Sequence, residues 1–247
     1  MLVFCDIMDF MNKAKRNKGF TLVELSIVIV IIGLIVAGVV GGQTLVKQAK
    51  LRSIVTDINS YKVAVNTFRL EYNALPGDFD NANAYWGASG VDGNGNKRVN
   101  SSEQVEFWRH LSLAGLVKGN YTGGGVNPGV SVPTGPLSSS IYTFTSHVVP
   151  MYGTTGNFFS FVSHPCGALN QCGVLVPKEA HAIDSKSDDG LADSGLIYAT
   201  TRFGESASAT TCTDGHWNAG GSQDLNAAYN LDVTDANCRI FFWHDKL

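Results

Sequence analysis

A single carboxylate, Glu24, lies at the start of a long apolar stretch near the beginning of this 247-residue chain. Residues 25–46 follow it, and these 22 residues contain no charged side chain. A helix of that length spans roughly 33 Å, which is enough to cross the ~30 Å hydrocarbon core of a bilayer. A carboxylate at the head of such a helix is costly in lipid unless a cation pairs with it. The pattern therefore predicts a membrane helix with a charge-pairing site at its start.

A second set of oxygen-bearing side chains lies in residues 92–103. Oxygen side chains fall at positions one, three, five and nine of this segment, an apolar residue at eight and a glutamate at twelve. This is the ligand spacing of an EF-hand Ca²⁺ loop, in which position seven offers a backbone carbonyl. The predicted ligands are Asp92, Asn94, Asn96, Arg98, Asn100 and Glu103. Lys97 departs from the pattern, because position six normally requires glycine, and a simple polar turn before a helix stays an alternative.

Three further carboxylates lie close together in sequence, where Asp184 is followed by the pair Asp188 and Asp189. This pair could bind a cation. The run Asp188-Asp189-Gly190 also has the composition of a tight turn, and the turn is the interpretation that we favour from the sequence.

Residues typical of enzyme active sites do not form a recognisable set. The six histidines are dispersed, with no HxxxH or HExxH spacing, and no GxSxG motif occurs. The glycine-rich segments at 123–125 and 220–221 lack the following lysine of a phosphate-binding loop. The sequence therefore predicts no catalytic site, and a membrane-tethered enzyme is a weak alternative.

The chain has five cysteines, of which Cys5 precedes the apolar stretch and the other four follow it. An even set in an exported segment indicates disulfides in an oxidising compartment. Four cysteines allow three pairings, and we expect Cys166–Cys172 and Cys212–Cys238. A four-thiolate zinc site would need two close CxxC-type pairs, and neither spacing here fits that pattern.

The segment that begins at Lys18 reads KGFTLVELSIVIVIIGLIVAGVVGG. Its first residues, with Gly19, Phe20 and Glu24 at their given positions, resemble the N-terminal signature of type IV pilins and type II secretion pseudopilins. The resemblance implies that a prepilin peptidase cleaves after Gly19 and methylates Phe20. It also implies that Glu24 pairs with the free α-amine of a neighbouring subunit in a filament. An ordinary membrane anchor or an uncleaved signal segment would not account for the lone acid.

The periodicity of the following residues predicts that the helix continues beyond the membrane. Apolar residues recur at intervals of three and four, which places them on one helical stripe: Ile54, Ile58, Tyr61, Val65, Phe68 and Tyr72. Pro76 and Gly77 then stop the helix, so one helix of about 50 residues is expected. The expected organisation is a leader at 1–19, a transmembrane or filament-core helix at 20–46, its amphipathic continuation at 47–75 and a globular head at 76–247.

The head is expected to be α+β, with the long N-terminal helix packed on an antiparallel sheet that carries the disulfides. Residues 103–117 have a helical pattern that Ser101 or Ser102 could cap, and a short helix is predicted at 177–182. Predicted strands lie at 141–149, 157–163, 173–176, 196–202 and 239–243. The strings LPGDF, YWG, DGNGN and AIDSKSDDG resemble a subgroup of large prepilin-like proteins, although residues 119–160 add little to this likeness.

The family resemblance implies a structural subunit that assembles with copies of itself and other pilins. It implies as partners a prepilin peptidase and an inner-membrane assembly platform, and it implies a single-pass inner-membrane protein with a periplasmic head or an extracellular filament. A pilus pilin and a secretion pseudopilin share these features. The alternative is a minor tip pilin whose head binds DNA, a surface or a partner protein. The formal charge of −3 gives no electrostatic case for nucleic-acid binding.

Overall fold

The computed structural model describes residues 19–100, 102–149, 154–165, 172–200, 212–214 and 227–246. The chain divides into two units, Met1–Lys47 and Gln48–Leu247. Within the described residues, a long helix, shorter helices and an antiparallel sheet form the secondary structure. The predicted α+β class is therefore confirmed.

Helix α1 spans Leu22–Tyr72, which is 51 residues and close to the predicted length. The Val, Ile and Leu side chains of its first part are exposed. Among the described residues, it is the one helix that is long and apolar enough to cross a membrane. In its second part, four residues of the predicted stripe are buried: Ile54, Ile58, Val65 and Phe68. The helix stops one turn before Pro76, where Asn73 adopts a left-handed conformation with φ of 52°.

The sheet has four antiparallel strands in the order β1-β2-β4-β3. The strands are β1 (Ser140–Val149), β2 (Thr154–Ser163), β3 (Ile197–Thr200) and β4 (Arg239–Lys246). Four of the five predicted strands are thus confirmed, with ends that differ by a few residues. Phe144 of β1 lies opposite Phe159 of β2, which lies opposite Phe242 of β4. These buried rings form one wall of the core.

Helix α3 connects α1 to this wall. It spans Gln104–Leu113 and follows the short helix α2 (Ala82–Trp86) and a 3₁₀ turn at Gly87–Ser89. Trp108 of α3 is fully buried, with its ring centroid 4.9 Å from that of Tyr61 in an edge-on arrangement. Phe107 stacks on Phe144 at 4.0 Å. Such aromatic pairs stabilise a core by about 0.5–1.5 kcal/mol each beyond the area that they bury.

Two predictions about local structure are wrong. Residues 173–176 do not form a strand, and only an isolated bridge joins Leu175 to Cys238. A Cβ added at Gly173 would lie 1.9 Å from the backbone of Asn237, and Pro177 begins helix α4 (Pro177–Ser187) immediately afterwards. The backbone of Asn237 thus approaches Gly173 closely, and α4 begins at Pro177. The few residues between them therefore do not form a regular ladder of hydrogen bonds with a neighbouring strand.

The predicted serine cap of α3 is the second correction. Glu103 occupies the N-cap position and makes no side-chain capping hydrogen bond. The hydroxyl of Ser102 instead donates to the side-chain oxygen of Asn100. Ser101 lies outside the described residues.

Candidate functional site

The N-terminal site consists of Gly19, Phe20 and Thr21 before the helix and Glu24 in its first turn. The backbone N–H and the hydroxyl of Thr21 donate to Oε2 of Glu24, at 2.8 and 2.9 Å. The N–H of Glu24 donates in turn to the Thr21 hydroxyl oxygen, at 3.2 Å. These reciprocal bonds form a capping box, which satisfies donors that the start of a helix leaves free. The carboxylate is thus held at the positive end of the helix.

Thr21 is a further residue of this site, with a capping role that was not among the predictions from the sequence. The signal was present, because threonine followed three residues later by glutamate is the capping-box pattern. Phe20 is 89% exposed, and no atom of the described residues other than its chain neighbours lies within 4 Å of the point where a Cβ on Gly19 would be placed. Within the described part of the chain, nothing therefore covers the peptide bond between these two residues.

The loop at 92–103 is closed by carboxylates. Glu103, which is buried, accepts the N–H of Asn94 at 3.1 Å and the N–H of Asn100 at 3.0 Å. Asp92 points elsewhere, because its Oδ1 accepts the N–H of Asn83 at 2.7 Å. The side-chain oxygen of Asn96 accepts the N–H of Arg98 at 2.8 Å. The structure therefore brings Asn94, Asn100 and Glu103 together and turns one oxygen of Asp92 away from them.

Asp78 also belongs to this loop site, although no spacing in the sequence indicates it. Its carboxylate is 2% exposed and accepts the N–H groups of Asn96 and Lys97, at 2.9 and 2.6 Å. Burial raises the pKa of Asp78, and repulsion from Glu103 raises it further. Lys97 has a φ of 65°, so it supplies the left-handed turn for which an EF-hand loop uses glycine. Ca²⁺ binding by this loop stays a prediction.

His110 fastens the start of the loop to the turn after α1. The ring is fully buried, its Nδ1 accepts the N–H of Gly77 at 2.9 Å, and its Nε2 lies 2.8 Å from the carbonyl oxygen of Val91. This pair of contacts requires the neutral tautomer with the proton on Nε2. Burial lowers the pKa of His110 to about 4. The histidine therefore has a structural role.

A chain of hydrogen bonds runs from the loop across the sheet to α1. The N–H of Val99 donates to the Ser146 hydroxyl at 2.7 Å, and that hydroxyl bonds to Asn157. Asn157 donates to Oδ1 of Asp245 at 2.8 Å, and Oδ2 of Asp245 pairs with Arg69 of α1. The loop, three strand residues and the helix are thus held in one polar network.

The acidic segment after α4 has the predicted turn role. The Oδ2 atom of Asp188 accepts the N–H groups of Leu196 and Ile197, the latter at 2.9 Å. Asp189 accepts the N–H of Leu191 at 2.9 Å and the hydroxyl of Ser194. The two carboxylates thus fix the connection between α4 and β3.

One of the two expected disulfides is present. Cys212 and Cys238 are bonded, with their Cα atoms 4.9 Å apart. The Cys238 backbone also pairs with Leu175, so the bridge holds residue 212 beside the start of β4. Cys172 is disulfide-bonded as well, but Cys166 lies outside the described residues, so its pairing with Cys172 stays a prediction.

Comparison with known protein families gives a match at the N-terminal end of the chain. The family described as "Prokaryotic N-terminal methylation motif" matches residues 14–40, which include Gly19, Phe20 and Glu24. No curated protein and no solved structure matches the chain. The matched segment also covers the start of the exposed apolar helix. The chain therefore carries the N-terminal methylation motif that is the signature of type IV pilins and pseudopilins.

Proposed function

We propose that this protein is a structural subunit of a type IV pilus or of a type II secretion filament. A prepilin peptidase would cleave it after Gly19 and methylate the new N-terminal residue, Phe20. The observation that carries the proposal is the methylation motif at residues 14–40. The exposed apolar part of α1, with its lone acid at Glu24, supports it. The proposed role is assembly, with no catalytic function.

Assembly would follow from the chemistry of the helix start. Cleavage would create a cationic amine at Phe20, next to Thr21 and one helical turn from Glu24. The Glu24 carboxylate already accepts two hydrogen bonds from Thr21, so it is oriented at the helix end before a partner arrives. Pairing of Glu24 with the amine of a neighbouring subunit would compensate its burial and fix the axial register of the filament.

The proposed location is the bacterial inner membrane, with the head in the periplasm before assembly. Four basic residues precede the cleavage point, which fits a cytoplasmic leader by the positive-inside trend: Lys13, Lys15, Arg16 and Lys18. The proposed partners are other pilins, the prepilin peptidase and an inner-membrane assembly platform. A pilus subunit would end in an extracellular filament, and a minor tip pilin would be a low-copy component of it.

Mass spectrometry of the N-terminal peptide tests the proposal, in sheared extracellular filaments and in the membrane fraction. An abundant sheared product that starts at methylated Phe20 indicates a major pilus subunit. Methylated product confined to the membrane fraction favours a pseudopilin or a minor pilin. A chain that still carries the residues before Phe20, in cells with an active peptidase, would refute the proposal.

Two variants test the roles of individual residues. Gly19→Leu should leave the leader attached, and the open space around Gly19 means that this loss would report on the peptidase and not on the fold. Glu24→Ala should insert into the membrane normally and assemble poorly. The matched control is Glu71→Ala, an exposed glutamate near the other end of the same helix. Normal filaments from Glu24→Ala would contradict the register role.

A further inference from the structure

A band of positive charge follows the apolar part of α1. The six residues that come directly after the uncharged stretch contain Lys47, Lys50 and Arg52. All three residues are exposed. Glu24 is the acid that precedes them in the chain and Asp57 is the one that follows, so no carboxylate of the same segment interrupts the band. The three basic residues are here called the basic collar.

The position of the basic collar along α1 corresponds to the depth of lipid headgroups. The first buried residue of the helix is Ile54, which is 0% exposed. Residues 47–53 lie between the uncharged stretch and Ile54, and they cover about 10 Å of helix. The headgroup layer on one side of a bilayer is about 5–8 Å thick. A helix whose uncharged stretch crosses the hydrocarbon core therefore places the collar among the headgroups.

The described residues do not supply counter-charges for two members of the collar. Within this part of the chain, neither Lys50 nor Arg52 forms an ion pair. Asp57, the next acid along the helix, accepts the hydroxyl of Tyr142 at 2.7 Å, so its carboxylate is directed towards the head. Long basic side chains can extend along a helix and keep their charged ends in a polar layer. The ammonium and guanidinium groups of Lys50 and Arg52 can therefore reach an external anion.

The chain beyond the collar has the opposite charge. Residues 53–247 contain 11 basic and 18 acidic residues, which give a formal charge of −7. An anionic membrane surface repels a head of this charge, whereas it attracts three cations that lie within six residues. The positive charge is thus concentrated next to the membrane stretch and is not a general property of the chain. This charge complementarity favours an anionic lipid surface as the partner of the collar.

We propose that the basic collar binds the phosphate groups of anionic phospholipids on the side of the membrane that carries the head. Ammonium and guanidinium groups form charge-assisted hydrogen bonds with phosphate oxygens. Each cation near an anionic lipid surface strengthens binding about fivefold. The contact would hold α1 at a fixed depth in the bilayer, and it would have to be released when the helix leaves the lipid. The inference rests on the proposed function, because it requires the apolar part of α1 to lie in a membrane.

Lipid retention by the full chain tests the inference, with phosphatidylglycerol and phosphatidylcholine as the anionic and the zwitterionic probe. Flotation of reconstituted vesicles after an alkaline wash first reports whether the chain is inserted. Native mass spectrometry from micelles that contain the two lipids in equal amounts then gives the ratio of retained phosphatidylglycerol to phosphatidylcholine. The wild type should retain more phosphatidylglycerol. The ratio should fall about fivefold for each collar residue that is replaced by glutamine, and it should also fall as the salt concentration rises.

A matched control separates the collar from the net charge of the chain. The collar variant combines Lys47→Gln, Lys50→Gln and Arg52→Gln. The control variant removes the same charge from three exposed residues of the head, through Arg98→Gln, Lys118→Gln and Lys186→Gln. The control variant should keep the wild-type lipid ratio. A ratio that falls equally in both variants would reflect net charge alone and would overturn the inference.

Insertion and lipid choice together distinguish the ways in which the inference can fail. A wild type that floats with the vesicles but retains the two lipids equally overturns the inference and leaves the membrane location intact. A wild type that floats with neither kind of vesicle refutes the membrane location, and the inference with it. A collar variant that keeps the wild-type lipid ratio but forms no filaments would assign the collar to contacts between copies of the chain, which also overturns the inference.

Discussion

Acidification should destabilise the head through His110. The ring accepts a hydrogen bond from the N–H of Gly77 at Nδ1 and donates from Nε2 to the carbonyl of Val91. A second proton would have to be placed on Nδ1, where it would face another donor. The buried imidazolium would also lose its hydration, and this loss outweighs the attraction of the Asp92 carboxylate. The folded state therefore resists protonation, and burial lowers the pKa of His110 to about 4.

The sign and size of the effect follow from the two pKa values. An unfolded chain takes up the proton near pH 6.5, and the folded head does so near pH 4. The free energy of unfolding should therefore be unaffected above pH 6.5, fall as the pH drops from 6.5 towards 4, and level off below. At 1.36 kcal/mol for each pH unit, the loss from this residue is about 3 kcal/mol.

Other groups titrate in the same range, so the contribution of His110 must be isolated by comparison. The pKa of His244 is also lowered to about 4 by burial, which adds to the loss. The pKa of Asp184 is raised to about 6, so protonation of Asp184 stabilises the folded head as the pH falls. The difference in unfolding free energy between the wild type and His110→Asn removes these shared terms.

The assay is urea unfolding of the full chain in detergent, followed by tryptophan fluorescence between pH 7 and pH 4. Asparagine at position 110 offers an acceptor but does not titrate. It should be less stable than the wild type at pH 7, and this gap should shrink by about 3 kcal/mol at pH 4. His181→Asn, at a partly exposed histidine of α4, serves as the control. A gap between the wild type and His110→Asn that is constant over this range would refute the reasoning.

Two further predictions concern the head. Replacing Cys212 and Cys238 by serine opens a loop with a sequence separation of 26 residues. The free energy of unfolding should fall by about 3–4 kcal/mol, and the urea midpoint should fall with it. An unchanged midpoint would show that the bridge does not constrain the unfolded chain. Gly77→Ala should lower the free energy of unfolding by about 2–4 kcal/mol, because φ is +80° and the new Cβ would lie 2.7 Å from the carbonyl oxygen of Glu103. Gly115→Ala is the matched control, because Gly115 has φ of +69° in the left-handed turn that ends α3, where the N–H of Leu116 bonds to the carbonyl of Leu111, and it has open space around it. This change should lower the free energy of unfolding by only about 1 kcal/mol, and equal losses at the two glycines would contradict the steric argument.

Features that depend on neighbouring residues in the chain could be predicted from the sequence. The stripe from Ile54 to Phe68 is a local period of three and four residues, and the structure buries it. Glu24 is identifiable from the sequence because it is the one acid at the head of a long apolar stretch. The capping partner Thr21 follows from the same local pattern and could have been found.

Features that depend on contacts between distant segments could not be predicted. Asp78 closes the loop at 92–103 because its carboxylate accepts N–H groups almost twenty residues away, and only the folded path of the chain places it there. Residues 173–176 have strand composition, but the backbone of Asn237 lies too close to Gly173 for a regular ladder.

Under the proposed function, the apolar surface of α1 cannot by itself move the protein from the membrane into a filament. The exposed Val, Ile and Leu side chains before Lys47 would each gain about 1.5–3 kcal/mol on leaving water. Lipid tails supply this gain to the same extent as neighbouring helices do. The apolar stretch therefore keeps the helix out of water without favouring the filament over the lipid bilayer. Glu24 is the residue of this stretch for which the two environments differ, because an isolated carboxylate is costly in lipid and tolerable beside an amine. Under the proposed function, the free energy that favours the filament should therefore depend on Glu24 more than on any apolar residue of α1.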